Sequence, residues 1–317
     1  MELHSIRQKM LRRVKRYATM LNSGVRPVRP RPEMPAITRE RKDRPAINII
    51  LFILTFITAT FAGAQVSGDM PAMFLSGLPY SITLLTILLF HEFGHYGAAR
   101  RFGVDATLPY FIPFPSIIGT MGAVIKTRSP IPDRRALFYI GALGPLPGFI
   151  MSCAAVTIGI YLSEIKPLPA AGGDILIFGD SLLFAGIVRI FHGTVPAGHD
   201  IYLSPYAWAG WVGFLITSLN LMPIGQLDGS HILYALIGRK QVIFGWIALA
   251  ALVAMSFVWE GWVVWVILTL LVLMVGHPEV PEGEPLTAGE QALGWFCMAV
   301  LVMTFVPMPV DFLQATV

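Results

Sequence analysis

One group of residues has the types and spacing to bind a metal ion: His91-Glu92-Phe93-Gly94-His95. Residues four positions apart on a helix lie on one face, so His91 and His95 can present two imidazole ligands to one ion. Glu92, beside the first histidine, can act as a general base toward a water molecule without ligating the metal. This H-E-x-x-H pattern is typical of hydrolytic zinc sites, and we expect one Zn²⁺ per chain.

The segment that leads into this motif is apolar. No charged residue occurs between Leu78 and Phe90, and ionisable side chains at membrane depth are costly and usually mark function. The alternative is that His91 and His95 are helix-end residues near the bilayer interface, with Glu92 as a solvated partner. The cost of placing three ionisable side chains in such a segment favours the metal site.

The composition indicates a polytopic membrane protein and not a soluble one. The mean hydropathy is +0.66, hydrophobic residues make up 55% of the 317 residues, and charged residues make up 13%. A helix needs about 20 apolar residues to cross a bilayer, so there is room for six or seven spans. We therefore predict an all-α membrane protein with a small β-hairpin at the membrane surface. Cys153 and Cys297 lie in apolar runs and predict no disulfide framework.

The distribution of charge predicts the orientation of the chain. Residues 1–45 form an arm with 13 Lys or Arg against four acidic residues. Because short basic segments stay on the cytoplasmic side, we expect a cytoplasmic N-terminus that faces anionic lipid. We expect no nucleic-acid partner, since neither aromatic interleaving nor a recognition fold accompanies the charges. The first apolar stretch begins near Ala46, too far into the chain for a cleaved signal peptide.

Seven apolar segments are predicted to span the membrane, and two of them position the chemistry. The second, from about residue 75 or 78 to Arg101, carries the H-E-x-x-H motif toward the cytoplasmic side. The fourth, from about Tyr206 to Met222, runs in the same direction. The other spans are predicted at residues 46–66, 136–162, 242–258, 261–275 and 292–306.

Two further segments of the predicted transmembrane domain, residues 46–306, do not span the bilayer. Residues 102–133 are rich in Pro and Gly, and Gly119–Thr127 suits a short strand or hairpin on the cytoplasmic side. Ser181–Phe191 is apolar but too short to cross, which favours an interfacial or re-entrant helix. Residues 307–317 are predicted to be a C-terminal tail.

A catalytic zinc ion needs a third protein ligand. Spans two and four both run toward the cytoplasm, so a residue just after span four can reach the depth of His95. Asp228 meets this condition and is the best candidate, although an Asp-Gly pair also suits a simple turn. His231 could be a rival ligand or could orient a ligand. Asn220 could donate a hydrogen bond to a developing oxyanion.

Taken in order, these motifs resemble those of the site-2 protease family of intramembrane zinc metalloproteases. The resemblance covers most of the chain between about Leu78 and Arg239. It rests on four motifs: His91-Glu92-Phe93-Gly94-His95, Gly144-x-x-x-Gly148, Asn220-x-x-Pro223 and Leu227-Asp228-Gly229.

The resemblance implies His91, His95 and Asp228 as zinc ligands and Glu92 as the catalytic acid and base. It also implies a catalytic core of three helices, formed by spans two, three and four within about residues 75–240. We see no segment long enough for a PDZ domain and no C-terminal CBS-type domain. The chain is therefore most similar to the compact branch with plastid and bacterial members.

The implied function is hydrolysis of a peptide bond in or near the transmembrane segment of a single-span membrane protein, as in regulated intramembrane proteolysis. The active site is expected toward the cytoplasmic side of a lipid bilayer, with a bacterial inner membrane as the first expectation. The alternatives are a metal transporter or metal sensor that uses the same ligands, and a scaffold that binds helices without cutting them. The H-E-x-x-H spacing and the lack of an evident inverted repeat argue against transport.

A substrate helix must unwind before its backbone can be cut, and the predicted hairpin offers a partner for the unwound segment. Gly122, Ala123, Val124 and Ile125 could accept that segment as an added strand. A hairpin with a purely structural role is equally compatible with the sequence.

Overall fold

The computed structural model describes residues 45–64, 68–168, 175–275 and 280–313. The chain divides into two units, Met1–Lys42 and Asp43–Val317, and the described residues all belong to the second. Nearly all of the predicted basic arm therefore lies outside the described residues.

The described residues are mostly helical. The helices are α1 (Pro45–Ala62), α2 (Met70–Arg101), α3 (Arg134–Ala142), α4 (Pro145–Tyr161), α5 (Leu182–His192), α6 (Pro205–Asn220), α7 (Asp228–Ile237), α8 (Gln241–Met255), α9 (Trp262–Val275) and α10 (Ala288–Thr304). The strands are β1 (Tyr110–Pro113), β2 (Thr120–Val124), β3 (Glu164–Pro167), β4 (Ile175–Phe178), β5 (His199–Tyr202) and β6 (Val310–Leu313). The strands form three antiparallel pairs, β1–β2, β3–β5 and β4–β6.

Four helical segments within the described ranges are long and apolar enough to cross a membrane: residues 45–62, 70–101, 134–161 and 228–255. The predicted multi-pass membrane architecture is confirmed at this level. The exact number of spans, six or seven, stays a prediction, because α5, α9 and α10 are apolar but shorter than a full span.

The predicted third span is two helices, α3 and α4, and the helix is interrupted at Leu143 and Gly144. Pro145 and Pro147 begin α4, and proline lacks the N–H that a continuous helix would need at these positions. The interruption is two residues long, and residues 134–161 together remain one candidate membrane span.

The segment between α6 and α8 differs from the prediction, which placed no helix between the spans ending near Met222 and beginning at residue 242. Residues 228–237 form α7, and a 3-10 turn at Gly238–Lys240 joins α7 directly to α8. Burial explains the difference, because Ile232 and Leu233 on α7 are almost completely buried. A helix with one apolar face against the core is more stable there than a solvated loop.

Helices α2, α4 and α6 pack around one large hydrophobic cluster. Its buried members include Tyr80, Leu84, Val156, Ile160, Trp211 and Phe214. Small residues permit the close approach of α4 and α6, since a Cβ on Gly159 would lie 2.0 Å from the Ala207 backbone nitrogen. The three helices named by the resemblance are thus packed against one another.

The β1–β2 hairpin lies alongside α1. The Asn48 amide donates to the carbonyls of Leu108 (3.1 Å) and Pro109 (2.8 Å), and the Thr58 hydroxyl donates to the carbonyl of Gly119 (2.6 Å). Ten helical residues separate these two anchors, which corresponds to about 15 Å along the helix axis. The sequence analysis placed this hairpin at the membrane surface. The anchors hold it beside α1, a candidate membrane span, and its place relative to the bilayer surface stays a prediction.

The other two strand pairs were not predicted, so an all-α fold with a single hairpin was incomplete. Strand β3 pairs with β5 inside residues 163–203, a segment that the sequence left ambiguous. Strand β4 pairs with β6, which belongs to the predicted C-terminal tail. The predicted short helix at residues 181–191 is present as α5, and the Ser181 side chain caps it.

Replacing Asn48 by Leu tests the anchoring of the hairpin. The substitution leaves two carbonyls, of Leu108 and Pro109, without their buried donor, which costs about 1–3 kcal/mol for an unsatisfied buried group. We expect a lower thermal unfolding temperature in detergent and faster hydrogen–deuterium exchange in residues 110–124. Thr86→Val is the control, because the Thr86 hydroxyl donates to the Ile82 carbonyl on its own exposed helix face. Equal exchange in both variants would contradict the anchoring role.

Candidate metal centre

Helix α2 places the two histidines of the motif on one buried face. The fractional exposure is 4% for His91 and 6% for His95, and their Nε2 atoms lie 3.0 Å apart. This is the spacing expected when residues i and i+4 of a helix point toward a common centre.

Asp228, the first residue of α7, completes a cluster with these histidines. Its Oδ2 lies 3.5 Å from His91 Nε2 and 3.3 Å from His95 Nε2. Each of the three residues offers one donor atom, and these atoms lie within 4.8 Å of one another. The closeness of Asp228 to both histidines supports a ligand role over that of a simple turn residue, and the ligand role stays a prediction.

The donor set fits a zinc ion. Two imidazole nitrogens and one carboxylate oxygen are a known ligand set for catalytic zinc. Four ligands at about 2.1 Å in a tetrahedral arrangement are separated by roughly 3.4 Å from one another. The observed separations of 3.0, 3.3 and 3.5 Å between the donor atoms bracket that value.

The backbone carbonyl of Ile140 determines which ring nitrogen of His95 carries the proton. His95 Nδ1 lies 2.7 Å from this carbonyl oxygen, which can only accept, so Nδ1 carries the hydrogen. In the neutral ring the lone pair is then on Nε2, the atom that faces Asp228 and His91. Asn220 lies beside the cluster as well, with its amide nitrogen 3.3 Å from His91 Nε2.

Glu92 lies beside the cluster but supplies none of its three donor atoms. The residue is 4% exposed, and its Oε2 has no hydrogen-bond partner among the described residues. The backbone of Ile125, next to strand β2, lies near the same carboxylate. A buried carboxylate oxygen without a partner is costly. A water molecule at this oxygen would satisfy it and would also be placed for proton transfer.

Three glycines allow the break between α3 and α4 to approach the histidines. A Cβ on Gly94 would lie 1.6 Å from the Leu143 carbonyl oxygen. A Cβ on Gly144 would lie 2.1 Å from His95 Nε2, and one on Gly148 would lie 3.2 Å from His91 Cβ. Any side chain at Gly144 would therefore occupy the position of the His95 imidazole.

The remaining predicted site residues lie on α7 and at strand β2. His231 lies on α7 against Gly141, and it is not part of the three-residue donor group. Gly122, Ala123 and Val124 belong to β2, and Ile125 follows it. Their roles stay predictions.

Sequence reasoning missed two groups at this site. The Ile140 carbonyl has no side-chain signature, so only the fold could reveal it. The contact of Gly144 with His95 has a partial signal in the sequence, because the small residues of Gly144-x-x-x-Gly148 permit close helix approach.

Comparison with known proteins identifies the family of this chain. Residues 79–258, more than half of the chain, match the model of peptidase family M50. The chain belongs to peptidase family M50. The matched region contains all three clustered donors and Glu92, and the predicted membership of the site-2 protease family is confirmed.

Curated relatives of this M50 member come from plants. It is 34% identical over 230 residues to "Probable zinc metalloprotease EGY1, chloroplastic" of Oryza sativa subsp. japonica, which covers 63% of this chain and 39% of the relative. It is 28% identical over 242 residues to "Probable zinc metalloprotease EGY2, chloroplastic" of Arabidopsis thaliana, with coverages of 74% and 43%. The chain thus spans about two fifths of the length of these relatives. No solved structure matches it. The predicted enzyme class and zinc cofactor agree with the family and with these names.

Gly144→Ala tests whether the close approach of the α3–α4 break is required for the metal site. The added methyl group overlaps the His95 ring, so we expect zinc affinity to fall about tenfold or more. The measurement is zinc bound per chain in competition with a chelating dye. Gly97→Ala is the matched control on α2, because a Cβ at Gly97 meets nothing within 4 Å. A Gly144→Ala protein that binds zinc as tightly as the Gly97→Ala protein would refute this requirement.

Proposed function

We propose that this protein is a zinc-dependent endopeptidase that cuts a peptide bond in or near a transmembrane segment of another membrane protein. The observation that supports the proposal is the convergence of His91, His95 and Asp228, buried among apolar helices, with the free oxygen of Glu92 beside them. Membership of a peptidase family and the printed names of the relatives point to the same chemistry.

The chain's own residues account for the proton transfers of such a reaction. His91, His95 and Asp228 would hold the zinc ion, which when bound polarises a carbonyl and acidifies water. Glu92 accepts a proton from the attacking water and then donates it to the departing amine. The Asn220 amide, next to His91, is placed to donate a hydrogen bond to the oxyanion that forms at the scissile carbonyl.

The position of the site favours a substrate that comes from within the membrane. The donor residues lie in α2 and α7, two segments of the candidate membrane spans 70–101 and 228–255. A substrate helix must unwind there, because its carbonyls are otherwise held in intrahelical hydrogen bonds. A single-span protein can meet this requirement locally, and release of its soluble part would be regulated intramembrane proteolysis.

Strand β2 is the proposed docking edge for the unwound substrate. Strand β1 pairs with one side of β2, and the backbone of Ile125, just after β2, lies near Glu92. A substrate strand added on the Glu92 side would bring its backbone to the catalytic carboxylate. Exposed apolar side chains at Met121 (63%) and Val124 (50%) offer contact to an apolar substrate.

The proposed topology follows the charges. Arg100 and Arg101 end α2, close to the histidines, and basic residues are retained on the side of synthesis. The metal centre then faces the cytoplasm in a bacterial inner membrane, or the stroma if the protein shares the chloroplast location in the relatives' names. The N-terminus lies on the same side.

Glu92→Gln tests the catalytic assignment. The amide cannot accept the proton of water, whereas the three metal donors are unchanged. We therefore expect cleavage of a single-span model substrate to fall at least about a hundredfold. Zinc content should remain near that of the native protein. Native cleavage by the variant would falsify the role of Glu92, and zinc flux into liposomes without cleavage by the native protein would favour a transporter.

Cysteine cross-linking tests the docking edge. In a protein with Cys153 and Cys297 replaced by Ala and with Glu92→Gln to trap substrate, we introduce Val124→Cys. A substrate strand beside β2 should form disulfides with alternate substrate positions, because strand side chains alternate between faces. Ile82→Cys on α2, with a similar exposure of 55% against 50%, should give little cross-linking. Equal yields from both sites would reject β2 as the docking edge.

A further inference from the structure

We propose that Glu290 is a positioning residue of the metal centre. Glu290 holds α3, and α3 in turn orients His95. This inference rests on the proposed function only in assuming that the three-donor cluster binds zinc. Glu290 is the third residue of α10 and belongs to none of the four sequence motifs, yet its exposure is only 6%.

The two carboxylate oxygens of Glu290 have separate partners. Oε2 accepts from the backbone nitrogen (2.8 Å) and the hydroxyl (3.0 Å) of Thr287, which forms the capping box of α10. Oε1 accepts from Arg135 Nε (2.7 Å) and from the Tyr139 hydroxyl (2.9 Å), both on α3. Capping of α10 requires only Oε2. Oε1 is therefore available to accept hydrogen bonds from α3.

Helix α3 lies between the two helices that carry the metal donors. The Ile140 carbonyl, next in sequence to Tyr139, accepts from His95 Nδ1 on α2. A Cβ on Gly141 would lie 3.0 Å from the Asp228 carbonyl oxygen, so α3 also packs against the start of α7. Arg134 Nε adds a 2.8 Å bond to the Ala235 carbonyl near the end of α7.

A rotation or shift of α3 would therefore act on the metal centre. Helix α3 has nine residues and is joined to α4 through the two-residue interruption at Leu143 and Gly144, where a helix can bend. Hydrogen bonds that a carboxylate accepts from a guanidinium and a phenol are directional and charge-assisted. These hydrogen bonds fix the orientation of α3 at Tyr139. They thereby also fix the next residue's carbonyl, that of Ile140, which orients His95. Residues that orient a histidine ligand change metal affinity when they are removed.

The alternative is that Glu290 only stabilises the fold, and metal binding separates the two roles. The test uses the full-length protein with Glu290→Gln or Tyr139→Phe. Glutamine is accepted at the third position of a capping box, so the start of α10 is preserved. Phenylalanine removes the hydroxyl of Tyr139 and keeps the ring that stacks on Phe102 at 5.4 Å.

Glu284→Gln is the matched control. Glu284 Oε2 also lies near Arg135, at 3.7 Å from its Nη1, but the Glu284 side chain is 85% exposed. The control makes the same charge change beside the same arginine without touching the bond to Tyr139. It is six residues from Glu290 and contributes nothing to the donor cluster.

The primary measurement is zinc affinity in competition with a chelating dye. We expect Glu290→Gln and Tyr139→Phe each to weaken zinc binding about tenfold, and Glu284→Gln to leave it unchanged. The double variant should bind zinc about as weakly as each single variant, because both changes break one chain of contacts. The visible absorption bands of the cobalt-substituted protein should shift in the two test variants and not in the control.

The proposal is overturned if both test variants keep native zinc affinity and native cobalt bands, even where they unfold at a lower temperature. It is also overturned if Glu284→Gln weakens zinc binding as much as they do, since that would be a general effect of charge. A native protein that binds no zinc would instead refute the proposed function, so the two failures are distinguishable.

Discussion

The structure depends on one requirement, which is that a carboxylate and two imidazoles meet inside an apolar bundle. Burying Asp228 in such a place is costly unless it faces a compensating charge or donor. Its oxygen lies 3.3–3.5 Å from two histidine nitrogens, and His95 has its proton directed away from the centre by the Ile140 carbonyl. Three electron-pair donors that converge in this way favour a bound cation, which is why the cluster is better explained as a metal site than as a structural ion pair.

The interruptions of the helices are what make this meeting possible. Two uninterrupted helices are kept apart by the side chains of both. Where one helix is interrupted, its backbone can contact a histidine ring of the other helix directly. The break at Leu143 and Gly144 does this for His95. On the other side, α7 begins at Asp228 after a turn in which Gly225 has a φ of +57°, a conformation that favours glycine. A Cβ on Gly229 would lie 1.7 Å from the Leu221 carbonyl oxygen, so α7 must also begin in close contact with the end of α6.

The sequence predicted the local parts of this arrangement and one long-range part. The i, i+4 spacing of His91 and His95 and the apolar length of α2 follow from periodicity, and Asp228 was inferred as their partner from the predicted directions of two spans. The two extra strand pairs were not predicted, because β4 pairs with β6 more than 130 residues later and nothing in either four-residue segment specifies the partner. The packing of the hairpin against α1 was not predicted, because it is set by Asn48 and Thr58, two polar residues whose partners are backbone carbonyls.

The two faces of helix α2 carry different kinds of residue. His91, Glu92 and His95 are at most 6% exposed, while Phe90 and Phe93 are each 49% exposed on the opposite face. The ionisable residues thus face the bundle, and the aromatic residues face outward, as the cost of charge in hydrocarbon requires. Within the cluster the Asp228 side chain is the most exposed, at 16% against 5% and 8% for the histidines. The side of the cluster next to α7 is therefore its least covered side.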